Sequence, residues 1–521
     1  MMAVMDKKWW TLLAVCAGTF MLLLDVTIVV VALPDIQRAL GASFGEVQWV
    51  IDAYALTLAA LLLTAGVLAD RYGRRLLFGI GLVVFTLGSL LCGVAQSPMM
   101  LILSRSGQGI GGAIMFATSL ALLANSFRGR DRGIAFGVWG AITGVATALG
   151  PILGGALTSG ISWRWIFLVN LPVGIAALAV TIWRLEESRS PRPEPSDWIG
   201  FLLLTSGLAG LVYGLIRASE TSWGDGGVAV SLVLGGVLLA SFLVAERLVA
   251  HPMFDLSLFR TPTFVGGSIA AFTMNGSLFA MFIYLVLYLQ NLLGYSAMQT
   301  GLRLLIVTAG TFVAAAIAGR LSERVSVRWL IGPGLALVGI GLFLMAGLSR
   351  DSSWTHLIPG FIVAGIGSGL VNPPLASTAV GVVAPQRAGM ASGVNSTFRQ
   401  VGLATSVAAL GSIFASTLQH HIRHALAPIP ALADRAPDIA SQVRQGNVEG
   451  LLASTPPGQR GQLIDAIRSS FVSGINNLLI VVGIVALVGA VASLILIRRK
   501  DFVARHPDAP APTQQPTRAA A

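Results

Sequence analysis

Lysine is almost missing from this chain. Among 521 residues it occurs as Lys7, Lys8 and Lys500, all near the ends. No GxxxxGK(S/T) loop is therefore present to cradle a nucleotide phosphate, and no interior lysine is placed for Schiff-base chemistry. ATP hydrolysis by this chain is excluded on that ground. No nucleophile–base arrangement stands out either, so the chain is not expected to be an enzyme. Cysteine is equally scarce: Cys16 and Cys92 both fall inside apolar runs, which argues against a disulfide or a metal site. Charged residues make up 11% of the chain, against about 25% in a soluble domain. No residue pattern implies a cofactor.

What abounds is apolar surface. Hydrophobic residues reach 55% and the mean hydropathy is +0.79, so most of the chain belongs in lipid. A helix needs about 20 apolar residues to cross a bilayer. Fourteen such runs can be read, at about 10–32, 47–68, 76–96, 101–124, 133–156, 164–184, 198–217, 227–246, 263–289, 299–319, 329–348, 355–380, 391–417 and 471–497. Sixty glycines suit close helix packing inside a membrane. Lys7 and Lys8 before the first run resemble a secretory signal, but the run is long, lacks a small-residue cleavage site and leads into Asp25. It is expected to remain as the first span.

Placement of basic residues sets the orientation. With the N-terminus inside, 22 of the 34 lysines and arginines fall on inner segments and 10 on outer ones. Both termini are then expected in the cytoplasm, with the chain crossing the plasma membrane many times. The net charge of +11 becomes a topology signal. Basic residues scattered over short loops do not suit nucleic acid.

The chain also repeats itself. GVLADRYGRR at 66–75 sits as a charged turn between two apolar runs, and GRLSERVSVR at 319–328 is a weaker copy in the same setting. Gly66 aligns with Gly319, Asp70 with Glu323, Arg71 with Arg324 and Arg75 with Arg328. RGIAFGV at 132–138 and AGMASGV at 388–394 echo each other at nearly the same offset, as do GQGIGG at 107–112 and GIGSGL at 365–370. A repeat of that length, each copy holding several spans, is how two-halved transporters are built. The offset of about 255 residues leaves room for two spans beyond a six-span half. The expected fold is therefore an all-α integral membrane protein. It has a six-helix half at 1–184, a charged Pro-rich linker with two inserted helices at 185–250, and a six-helix half at 251–500. An extracytoplasmic loop is expected at 418–470 and a disordered cytoplasmic tail at 501–521.

Here the motifs resemble a known family. GVLADRYGRR is similar to the loop signature between the second and third helices of the major facilitator superfamily. LDVTIVVVALP (24–34), RSGQGIGGA (105–113), GAITGVATALGPILGG (140–155), WRWIFLVNLPVG (163–174) and NSTFRQVG (395–402) resemble its fourteen-helix drug/proton antiporter branch. The matches are dense over spans 1–6 and thin over spans 9–14. Val30 stands where the family pattern usually has an Asn. The resemblance implies a major facilitator fold, proton exchange against a drug, and a substrate cavity lined by spans 1, 4, 9 and 12.

Each motif carries a physical argument of its own. In the 66–75 turn, which also carries Arg71, Arg74 and Arg75, Gly66 and Gly73 permit close backbone approach, and Asp70 can pair with arginines of neighbouring cytoplasmic helix ends. Such a cluster, with Glu323 and Arg324 in the second copy, would latch one conformer and release in another. The plainer alternative is that these arginines only fix topology. Gly150, Pro151, Gly154 and Gly155 place a bend and a small-residue face in span 5, and by resemblance mark an exporter. Simple packing serves equally for any one of them.

Ionisable residues within spans are costly and point to function. At 1.5 Å per residue, Asp52 and Arg105 lie about 7 Å, and Asp25 about 12 Å, from the outer ends of their spans. Asp25 is expected to carry the exchanged proton, and Arg105 to pair with Asp25 or Asp52, although Asp52 could simply reach the outer interface. The second half has no acid in mid-span. There the resemblance favours Asn275 and Asn372 as substrate contacts, with Arg399 also in the cavity; helix–helix hydrogen bonding would equally explain the asparagines. His420, His421 and His424 cluster at an outer membrane edge without acids nearby, and no metal site is expected.

The function expected from all this is proton-coupled efflux of small hydrophobic or cationic compounds, such as drugs and antibiotics, by alternating access. Its partners would be small-molecule substrates, protons and the lipid bilayer, with any periplasmic adaptor unknown. Export of an endogenous metabolite, lipid or siderophore is the alternative within the fold, and a membrane sensor is the alternative outside it.

Overall fold

The computed structural model describes residues 6–42, 44–189, 197–220, 223–249, 256–322, 324–384, 387–429, 432, 434–444 and 448–502. Every regular element among them is helical. The first half contains α1 (Lys7–Leu40), α2 (Phe44–Tyr72), α3 (Arg74–Gly93), α4 (Pro98–Ser126), α5 (Gly129–Gly160) and α6 (Asn170–Arg184). An inserted pair follows, α7 (Trp198–Glu220) and α8 (Gly226–Leu248). The second half contains α9 (Pro262–Gln290), α10 (Ala297–Leu321), α11 (Arg328–Met345), α12 (Ile358–Gly381), α13 (Ala388–Leu426) and α14 (Pro457–Leu496). Thirteen helices of the described residues are long and apolar enough to cross a membrane. The remaining expected span, 133–156, lies within the 32-residue α5.

Local sequence explains where the helices begin. Ser97 accepts from the Met100 amide ahead of Pro98 at the start of α4, and Asp225 accepts from Val228 at the start of α8. Ser296 and Gln299 form a reciprocal capping box on α10. Each satisfies amides that a helix start leaves unpaired. Asp225 also takes a hydrogen bond from Arg217 across the α7–α8 turn, which holds its carboxyl below the usual carboxylate range.

Burial sorts the helices by role. In α4, 83% of the most apolar window is buried inside the protein, against 17% in α8. α4 is thus an interior helix and α8 a lipid-facing one. α3, α8 and α14 expose stripes of large apolar residues, for example Leu76, Ile80, Val83 and Leu87 on α3. Such stripes at helical spacing require an apolar solvent.

Three features depart from simple spans. α9 is interrupted by π-helical turns at Asn275–Phe279 and Tyr288–Leu292, a geometry frequent at functional positions. The expected 418–470 loop is partly helix, because α13 runs to Leu426 and α14 starts at Pro457. Leu418, Ile422 and Leu426 repeat every four residues and are fully buried, so they carry the helix beyond the apolar run. Two short helices, Ala436–Arg444 and Val448–Ala453, pack into the same core through Ile439 and Leu451. The inserted pair, finally, touches both halves. Thr64 on α2 meets Thr205 on α7 at 3.1 Å, Trp49 stacks at 5.8 Å on Tyr213, and the Trp223 indole donates to Ser412 on α13.

Candidate functional site

The most densely bonded polar group of the first half centres on Asp25 of α1. Asp25 and Arg105 are 0% and 1% exposed and form an ion pair. Gln108, one turn beyond Arg105 on α4, donates to the other Asp25 oxygen at 2.8 Å and accepts from Arg105 at 2.8 Å. Asn170 of α6 donates to the same Asp25 oxygen at 3.3 Å and to Ser89 of α3 at 3.0 Å. Arg105 also donates to the Val50 carbonyl of α2 at 3.0 Å, and its guanidinium lies 4.2 Å from the Tyr54 ring centroid. Five helices meet on this one pair. Without such partners two buried charges would not recover their desolvation cost.

Asp52 is only half-buried, and the carboxylate that Arg105 meets is Asp25. The geometry thus chooses between the two pairings left open by the sequence.

The α5 signature packs against α1 immediately beside this cluster. A Cβ on Gly150 would meet the Thr27 hydroxyl, and one on Gly154 would come within 2.8 Å of the Ile28 carbonyl. Gly155 is half-buried, and Pro151 continues the helix. Two and three residues past Asp25, the α1 backbone is therefore in direct contact with α5.

The turn at 66–75 forms a second site. Asp70 receives two hydrogen bonds from Arg74, at 2.9 and 2.7 Å. Its other oxygen accepts at 2.8 Å from the amide of Met390, in the first turn of α13. A carboxylate at a helix N-terminus meets unpaired amides and the positive end of the helix dipole. This contact ties the first half to the second. Gly73 has φ of +122°, and the Glu187 carboxylate fills the space a side chain would need. Glu187 accepts from the Arg75 and Leu76 amides, both at 3.0 Å, and so caps α3. Arg75 donates to the Ile182 carbonyl at 2.6 Å, Arg71 lies 5.3 Å from the Tyr72 ring, and Gly66 is buried within α2. In the second copy Arg324 is exposed and enters no ion pair among the described residues; Glu323 lies outside them. On the same face, Gly319 of α10 packs against Gly133 and Gly137 of α5.

In the second half, Arg399 of α13 is 5% exposed. It donates to Asn395 at 3.2 Å and to Asn372 of α12 at 3.1 Å. Asn275 opens the first π-turn of α9, half-buried. The rings of His420 and His424 lie 4.5 Å apart on an exposed stretch. No group of His, Cys, Asp and Glu suited to a metal occurs among the described residues. Cys16 and Cys92 are buried free thiols.

The profile of the Major Facilitator Superfamily matches residues 15–407, well over half the chain. The chain belongs to the Major Facilitator Superfamily. Within it, the chain is 37% identical over 421 residues to the Multidrug resistance protein Stp of Mycobacterium tuberculosis, covering 80% of this chain and 78% of that protein. It is 34% identical over 493 residues to the Tetracenomycin C resistance and export protein of Streptomyces glaucescens, covering 94% and 91%. Among solved structures, the human organic anion transporter MFSD10 aligns with a TM-score of 0.59 at 14% identity, over 92% of this chain and all of the other. That likeness shows a shared fold. The chain is thus a multi-pass transporter of the Major Facilitator Superfamily.

Several residues of the two sites escaped the sequence. Gln108 and Asn170 lie inside RSGQGIGGA and WRWIFLVNLPVG, where they read as letters of a motif rather than as partners of Asp25. A signal was available for Gln108, since position i+3 shares a helix face with Arg105. None was available for Asn170, Ser89 or Glu187, whose contacts span 81 to 145 residues of sequence.

Proposed function

We propose that this chain is a proton-coupled exporter of small hydrophobic or cationic compounds, acting across the cytoplasmic membrane with both termini inside. The observation that carries the proposal is the sealed Asp25–Arg105 pair with its contact to α5. The names of the relatives, which speak of multidrug resistance and of resistance and export, support an efflux direction.

The coupling follows from the chemistry of a buried pair. Ionised Asp25 holds Arg105, Gln108 and Asn170 together. A proton arriving from outside neutralises the carboxylate, removes the ionic component of the Arg105 contact and frees the guanidinium to change partner. Asp25 lies two and three residues from Thr27 and Ile28, which the α5 glycines contact. Displacement of α1 is thereby passed to α5, whose opposite partner is α10 of the other half. The Asp70–Met390 contact holds the halves together on the side of the 66–75 turn. Opening toward the cytoplasm must break it, so this contact is the latch of the outward-open or occluded conformer. Bound substrate and bound proton favour opposite conformers, and exchange results.

The test is accumulation of tetracenomycin C in inside-out vesicles holding the protein, with an acid interior imposed. Uptake that a protonophore abolishes is expected. Uptake unaffected by the gradient would overturn the proton coupling, and no uptake of any compound would overturn the export proposal.

A further inference from the structure

Arg399 is the feature that proton exchange leaves unused. It is a cation 95% buried, as its 5% exposure states, in a half whose membrane interior holds no acid. Among the described residues it forms no ion pair, and its two recorded partners are the amide oxygens of Asn395 and Asn372. Its Nη2 is buried without a hydrogen-bond partner. Asn372 is held in place by donating to Ser368, at 3.2 Å to both its carbonyl and its hydroxyl. The asparagines thus orient the guanidinium and leave one of its faces unsatisfied. A buried cation kept in this way is expensive unless a counter-charge arrives during the working cycle.

The position fits a ligand rather than a structural pair. α13 starts at Ala388 and Arg399 lies 11 residues along it, about 16 Å at 1.5 Å per residue, which is mid-membrane. Both segments that carry the site abut the first half. A Cβ on Gly393 would come within 2.9 Å of the Leu62 carbonyl on α2. Pro373, next to Asn372, would lie 2.9 Å from a Cβ on Gly140 of α5. Further buried polar atoms without partners occur on the same stretch of α13, at Ser392, Ser396 and Thr397, and at Asn275 Oδ1 in the π-turn of α9. A cavity of about 10 Å³, room for roughly one water, touches Asn395 and Ser268. An unfilled cation, unused hydroxyls and the seam between the halves therefore coincide.

We propose that Arg399, oriented by Asn372 and Asn395, is a substrate-binding residue that receives an anionic group, a carboxylate or phenolate, on an otherwise apolar compound. The proposal rests on the export reading and extends its substrate class beyond neutral and cationic molecules. A guanidinium offers two parallel donors to a carboxylate, which a lysine ammonium cannot match. It repels a cation, so an amine on the same scaffold should bind less well at this point. The ion pair forms when the halves part along α5–α12 and α2–α13 and is desolvated as they close.

The experiment uses the full-length protein and three probes on one scaffold: dansyl-valine, its methyl ester and a dansyl alkylamine. Binding to purified protein in detergent is measured by dansyl fluorescence, and transport by uptake into inside-out vesicles, for wild type, Arg399→Gln and Arg399→Lys. Wild type is expected to bind the acid at least tenfold, or 1.4 kcal/mol, more tightly than the ester. Arg399→Gln should erase that preference while ester transport persists, and Arg399→Lys should restore part of it. Equal affinity of wild type for acid and ester would overturn the proposal. So would an acid-over-ester preference that survives undiminished in Arg399→Gln. Acid-selective binding without uptake of any probe would leave the site standing and defeat the export reading instead.

Discussion

Arg105 in the first half and Arg399 in the second are both more than nine-tenths buried, yet among the described residues one faces a carboxylate and the other the amide oxygens of Asn395 and Asn372. Arg105 on α4 and Arg399 on α13 are buried to nearly the same degree, so the contrast is not one of depth. It is one of charge balance. The first half closes its account internally, with five helices converging on a neutral pair, and such a pair can change state when one proton is added. The second half carries an uncompensated positive charge and can change state when a counter-charge enters. The charged turns repeat the contrast. Asp70 and Arg74 are buried and tied across to α13, whereas Arg324 in the second copy faces solvent. On the proposed reading, the first half holds the coupling pair and the second presents Arg399 to ligand.

The largest effect is expected where a buried charge loses its partner. Arg105→Ala strands Asp25 in apolar surroundings and should cost about 3–5 kcal/mol. The loss would be read as a collapse of folded yield and of thermal stability in detergent. Arg399→Gln provides the opposite arm. It removes a charge that has no counterpart, and its melting temperature should equal or exceed that of wild type. Were both variants equally destabilised, the difference between the halves would vanish.

Smaller effects sharpen the comparison of the two turns. Asp70→Ala leaves Arg74 and the Met390 amide without their acceptor and should cost about 1.5–3 kcal/mol. It should also shift the population toward the conformer open at that face, read by the labelling rate of a cysteine placed on the inner end of α13. Gly73→Ala meets both a positive φ and the Glu187 carboxylate and should cost about 1–3 kcal/mol, read as a lowered melting temperature. Arg324→Ala, at the equivalent turn, should change stability by no more than about 0.5 kcal/mol.

Much of this was legible in the sequence because it is periodic. Apolar runs, the basic bias of alternate loops and the repeated turn required fourteen spans in a six–two–six order, and the helices lie on those runs. Asp25 and Arg105 stood out because charge in an apolar run needs a reason. Their mutual contact did not, since Asp52 is nearer to Arg105 in sequence than Asp25 is and only packing chooses between them. Asn170 and Glu187 were invisible as partners because polar residues gain meaning from neighbours more than 100 positions away. The π-turns of α9 have no local signal either: Asn275 and Gly276 sit in an apolar run that reads as ordinary helix. The helical extensions around 418–470 are encoded by four-residue spacing of leucine and isoleucine amid polar residues, a pattern that a hydropathy window averages away.

The central claim is that the exchanged proton resides on Asp25. Its most direct test is proton release from acid-interior, inside-out vesicles when tetracenomycin C is added, with wild type compared to Asp25→Asn. The account predicts drug-triggered release with wild type and none with Asp25→Asn, while drug binding to the purified variant persists. Release that survives the substitution would contradict it and move the coupling site elsewhere, with Asp52 the next residue to change.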